Sequence, residues 1–170
     1  MLLPLSLLFV GAVLVLNGIW MTGRIDDREI VLINLVTATV TAAVAVATAI
    51  GAADMAAVRS AALTLLFTTT YLWVAYNRMT GADGRGLGWF SLFVSLTVLP
   101  VAAQAVMTAE GPMSLWLGLN WAAWSGLWFM YFLLLALGRP LLRVTALATL
   151  ASGVFTGWLP GLVLLNGWGS

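Results

Sequence analysis

The thirteen charged residues of this chain stand in a few short clusters, and between the clusters lie long uncharged stretches at 1–23, 30–53, 60–77, 86–109, 111–138 and 144–170. Each is about the length that one α-helix, rising about 1.5 Å per residue, needs to cross ~30 Å of hydrocarbon. Hydrophobic residues make up 62% of the sequence and charged ones only 8%, too little charge to cover a water-soluble surface. The spacing predicts an all-α integral membrane protein, a bundle of six transmembrane helices forming a single domain over 1–170. The connecting segments are too short to hold a soluble domain. The stretch 60–77 is the shortest, at the lower limit for a span. No basic region precedes the first apolar run and no small-residue cleavage site ends it, so it is expected as a retained helix and not a signal peptide.

With six spans the connections alternate sides. Arg24, Arg28, Arg78, Arg85, Arg139 and Arg143 all fall in the first, third and fifth, while the second and fourth hold only Arg59. The positive-inside rule then puts the odd-numbered connections in the cytoplasm and both termini outside.

Cysteine and histidine are both absent. The chain therefore has no thiol nucleophile, no disulfide framework, no histidine base and no zinc site of the usual kind. No paired acids lie within a span, so the machinery of most enzyme classes is missing. The absence of an ionisable acid or base deep in any span argues equally against a proton relay or an ion-selective charge ring. A transported species would be neutral.

The spans do contain a mild polar set, Asn17, Asn34, Asn77, Gln104 and Asn120. Such amides can bond neighbouring helices to each other. They can also replace the water that a polar solute sheds on entering a pore. Tryptophan normally sits at the headgroup level, as Trp20, Trp89, Trp116 and Trp168 would. Trp121, Trp124 and Trp128 do not fit that belt: a helix over about 114–137 puts Trp124 near mid-membrane. Their spacing of three and four places them on one helix face, extended by Tyr131. That face is either tight helix packing or the wall of a narrow lumen whose solute meets the indole N–H groups. Thr68, Thr69, Thr70, Tyr71, Trp73 and Tyr76 form a second aromatic, hydroxyl-rich segment. Pro100 and Pro160 are expected to interrupt helices 4 and 6. Gly11, Gly18, Gly126, Gly153, Gly157 and Gly161 read as packing positions. Leu7-Leu8-Phe9 and Leu65-Leu66-Phe67, each followed by an asparagine, Asn17 and Asn77, hint at three related helix hairpins.

These strings carry a resemblance. Leu7-Leu8-Phe9-Val10-Gly11 with Asn17-Gly18-Ile19, Thr70-Tyr71-Leu72 with Asn77, Trp89-Phe90-Ser91-Leu92-Phe93-Val94 with Pro100, Trp121-Ala122-Ala123-Trp124 with Leu127-Trp128, and Gly153, Thr156 and Trp158-Leu159-Pro160 occur in this order nearly end to end. The chain resembles the bacterial amide and urea channel family, which includes an acid-gated urea channel and acetamide channels of amidase operons. The resemblance implies a homohexamer in the bacterial cytoplasmic membrane, with a pore through every protomer and no cofactor. Its pore constrictions match Leu7, Leu14 and Asn17 in helix 1, Thr69, Tyr71 and Trp73 in helix 3, and Trp121, Trp124 and Trp128 in helix 5. Two departures stand out. The gated urea channel carries histidines around a longer first outer loop, whereas Gly51 to Arg59 is short here and histidine is absent. It also has a carboxylate one residue before the helix 6 glycine, where this chain has Ser152.

The expected function is therefore a passive, ungated channel for small neutral amides such as acetamide, formamide or urea, serving a cytoplasmic amidase or urease. The alternatives are a proton- or ion-coupled solute transporter and a membrane scaffold that transports nothing.

Overall fold

A computed structural model describes residues 2–168; Met1, Gly169 and Ser170, at the outer limits of the first and last expected spans, lie outside the described residues. Six helices are long and apolar enough to cross a membrane: α1 (Leu3–Trp20), α2 (Glu29–Ile50), α3 (Met55–Thr80), α4 (Arg85–Met107), α5 (Pro112–Ala136) and α6 (Leu142–Leu165). No strand occurs among the described residues. Large apolar side chains such as Leu32, Ile50, Phe93, Leu96 and Leu147 face outward, as they must where the surrounding solvent is lipid and not water.

The shortest expected span is the longest helix, at 26 residues. Counting only uncharged residues misplaced its ends, because both of its arginines lie inside the helix. Arg59 donates to Gln104 Oε1 of α4 at 2.8 Å. Arg78 reaches Asp27 at 3.4 Å and covers the Trp20 ring, 5.3 Å from its centroid. Asp54 caps the start of α3 by accepting from Ala57 N, and Gly81 at φ 72° ends it in the left-handed conformation that glycine adopts without strain.

Three helix pairs dominate the packing: α2 with α3, α4 with α5, and α1 with α6. Hydroxyls that need partners away from water join the first two. Thr41 and Thr68 share a hydrogen bond of 2.8 Å between α2 and α3. Ser95 and Ser125 each donate to the other's carbonyl, at 2.9 and 3.0 Å, between α4 and α5. The α1–α6 pair instead relies on missing side chains, with Gly11 of α1 against Gly157 of α6. α1 is also tied to α2 by a reciprocal amide pair in which Asn17 and Asn34 donate to each other at 3.2 and 2.8 Å.

The prolines act differently from expectation at one of the two positions. α4 runs unbroken through Pro100, so Pro100 does not interrupt it. Pro160 does disturb α6, through a π-helical stretch over Gly153–Trp158 just ahead of it. A proline cannot donate to the carbonyl four residues back, and a π-turn shifts the hydrogen-bond register, so carbonyls in this stretch are released to other partners.

Candidate functional site

The carbonyls released in α6 are taken up by α5. Trp116 Nε1 donates to Phe155 O at 2.9 Å and Asn120 Nδ2 to Thr156 O, the carbonyl four residues before Pro160, at 3.1 Å. One turn further, Trp124 Nε1 donates to the Thr156 hydroxyl at 2.7 Å. Trp128 Nε1 turns to α3 and donates to Thr70 Oγ1 at 3.2 Å. The Tyr131 hydroxyl shares a hydrogen bond of 2.9 Å with Thr149 of α6. Trp124 is therefore held by α6 and Trp128 by α3. The N–H groups of Trp124 and Trp128 are satisfied by threonine hydroxyls and are not held open for a solute.

What the locked rings offer is shape. Phe67 of α3 sits edge-on to Trp124 at 4.8 Å and to Trp128 at 4.7 Å between centroids, with Trp121 at 6.1 Å and Tyr71 at 6.3 Å. Next to this cluster is an inner cavity of about 40 Å³ walled by Leu14, Asn17, Phe67, Thr70, Tyr71, Val74, Leu87, Ser91, Trp124, Leu127, Trp128 and Tyr131. That volume is room for a few water-sized centres, roughly 10–15 Å³ being needed for one. No charged side chain lines it. A larger cavity of about 330 Å³ adjoins it, sharing Asn17, Val74, Leu87 and Tyr131, and opens at the arginine-rich end beside Trp20, Asp27, Asn77 and Arg78. The buried apolar cluster to which Phe67 belongs also includes Leu7 and Val10, with Leu63, Leu66, Leu117 and Trp121 packed against it.

Of the residues picked out in the sequence, Leu14, Asn17, Tyr71, Trp124 and Trp128 meet around the inner cavity. Leu7 belongs to the buried apolar cluster and Trp121 packs against it, and neither lines the cavity. Thr69, Trp73 and Ser152 line neither cavity. The cause on α3 is helical period: its lining positions are 67, 70, 71 and 74, a single face that leaves 69 and 73 to the sides. Thr69 donates back to Leu65 O at 2.8 Å, and Trp73 packs on Phe90 at 5.6 Å. Ser152 contributes its carbonyl, which accepts from the Thr156 hydroxyl at 2.6 Å. Sequence reasoning missed Phe67 and Val74 as walls, although they stand four before and three after Tyr71 on the same face; of the hydroxyl-rich segment, Thr70 lines the cavity as well. The role of Thr156 follows only from the π-turn.

Thr156→Val tests the locking. It keeps the side-chain shape but removes the acceptor of a buried indole N–H, which costs about 1–3 kcal/mol. A lower thermal unfolding midpoint in detergent is expected, with Thr156→Ser close to the native protein.

The family model described as AmiS/UreI family transporter matches residues 2–168. The chain belongs to this family. A Mycolicibacterium smegmatis protein named for transport of amidate substrates is 39% identical over 95% of this chain and 76% of its own length. The acid-activated urea channel of Helicobacter pylori is 30% identical over 95% of this chain and 96% of the relative. A cryo-EM structure of the Helicobacter pylori urea channel in a closed state superposes with a TM-score of 0.87 at 29% identity, covering 97% of both chains. The six-helix membrane bundle is thus the architecture of a transporter family, and the cavities lie within it.

Proposed function

We propose that this protein is a passive channel for small neutral amides, acetamide, formamide or urea among them, and is no enzyme. The observation that supports this most is the uncharged inner cavity, walled by flat rings and a few polar groups and adjoining a wide mouth cavity with which it shares Asn17, Val74, Leu87 and Tyr131. Phe67, Trp124 and Trp128 would admit a thin planar molecule, while Asn17 and Tyr71 would exchange hydrogen bonds with it. An ion would lose its hydration shell and find no charge in compensation. The relatives named for urea and for amidate substrates agree with this class of permeant. Leu7 and Trp121 would form the apolar constriction beyond the cavity; Thr69, Trp73 and Ser152 would support the walls from the side.

The arginine distribution supports cytoplasmic odd-numbered connections, with both termini outside the bacterial cytoplasmic membrane. The resemblance supports a homohexamer that holds no cofactor and delivers its solute to an amidase or urease. With no histidine in the chain and residues 51–54 alone between α2 and α3, the channel would stay open in mild acid.

Stopped-flow light scattering of proteoliposomes after an osmotic step with acetamide or urea tests the reading. Swelling faster than in empty liposomes, at the same rate in neutral and mildly acidic buffer, is the expected result. No acceleration from folded protein would refute the channel, and acceleration confined to acid would refute the absence of a gate.

A further inference from the structure

Asn77, in the last turn of α3, is 4% exposed. It borders the larger cavity, and its carboxamide makes no hydrogen bond among the described residues. The other buried amides are all engaged: Asn17 with Asn34, and Asn120 with Thr156 O. Buried polar groups are paired as a rule, and one that faces a cavity is paired by whatever fills the cavity. Gly84, in the same wall, has no side chain to cover the amide; a Cβ there would lie 3.7 Å from Asn77 Nδ2. The rim bears one cation and one anion, Arg78 and Asp27, held together at 3.4 Å, so the mouth has no excess charge to favour an ion over a neutral solute.

We propose that the mouth cavity is a docking site for the permeant, in which Asn77 pairs with a planar carboxamide or urea. Each partner would give one N–H and accept one at its carbonyl, closing a ring of two hydrogen bonds. The chain already contains that geometry in the Asn17–Asn34 pair, at 3.2 and 2.8 Å. The arrangement also leads inward. Asn17 borders both cavities. Tyr71, whose hydroxyl likewise makes no hydrogen bond among the described residues, stands six residues and about 9 Å of helix rise before Asn77. A solute leaving Asn77 meets Asn17, whose second amide N–H is not used in the pair with Asn34, and then Tyr71 before it reaches the apolar constriction. The inference rests on the amide-channel reading and adds where the solute first binds and which group selects it.

The test is uptake of labelled acetamide by proteoliposomes against rising unlabelled acetamide, with osmotic water permeability measured on the same vesicles. Asn77→Leu keeps the volume and removes both hydrogen bonds. The half-saturating concentration is expected to rise about tenfold while water permeability and the unfolding midpoint stay native. If Asn77→Leu fails to assemble, Asn77→Ala is read the same way. Native saturation in a variant that conducts, or equal loss of water and acetamide flux, overturns the docking site while leaving the channel intact. A native protein that conducts no acetamide overturns both.

Discussion

Phe67→Ala abolishes size selection: glycerol and propionamide are expected to enter proteoliposomes about as fast as acetamide. Among the described residues Phe67 alone is in edge contact with Trp121, Trp124 and Trp128 together, and it forms one wall of the inner cavity while also belonging to the buried apolar cluster. The tryptophans cannot follow it inward when it is removed, because Trp124 is tied to Thr156 and Trp128 to Thr70. The space left by the phenyl ring therefore stays open and joins the cavity. Deleting a buried phenyl ring from a closed core costs about 3–5 kcal/mol. Here the loss is smaller, since water from the adjoining cavity can fill the gap, and the variant should still purify as folded protein. Retained exclusion of glycerol by folded Phe67→Ala would show that the constriction lies elsewhere, with Leu7 and Trp121 the next residues to truncate.

The parts legible in the sequence were those governed by the cost of placing charge in lipid and by helical period. Uncharged length gave six spans, and the 121, 124, 128, 131 spacing identified the face of α5 that borders the cavity. Charge counting failed at the ends of α3, because Gln104 and Asp27, remote in sequence, supply partners that let Arg59 and Arg78 remain helical. Thr69 and Trp73 follow from the resemblance, whereas the period counted from Tyr71 selects Phe67 and Val74, and Thr70 stands three residues after Phe67. The indole N–H groups could not be assigned from sequence at all. The acceptor of the Trp124 N–H, Thr156, sits in a stretch of α6 whose register is shifted by π-turns ahead of Pro160, and a proline alone does not say whether a helix will break, bend or, like α4 at Pro100, continue.

Gly157→Leu is expected to prevent assembly of the bundle, with no monodisperse protein recovered in detergent. A Cβ at Gly157 would lie 2.5 Å from both Cα and N of Gly11 and 3.1 Å from Leu7 O. These are backbone atoms, and no rotamer change can clear them. Even one added methyl group must therefore push α1 and α6 apart, a cost of about 1–3 kcal/mol in an ordinary packed core, and a leucine must separate the helices altogether. The site would go with them, since α6 carries the hydroxyls that hold Trp124 and Tyr131. Gly126→Leu is the matched control, because a Cβ at Gly126 meets nothing within 4 Å. It should purify and conduct as the native protein does. Gly157→Ala should fall between, with a lowered unfolding midpoint and slowed acetamide flux. Equal stability of the Gly157 and Gly126 variants would mean that α1 and α6 do not meet backbone to backbone, and the support for the tryptophan wall would have to come from another helix.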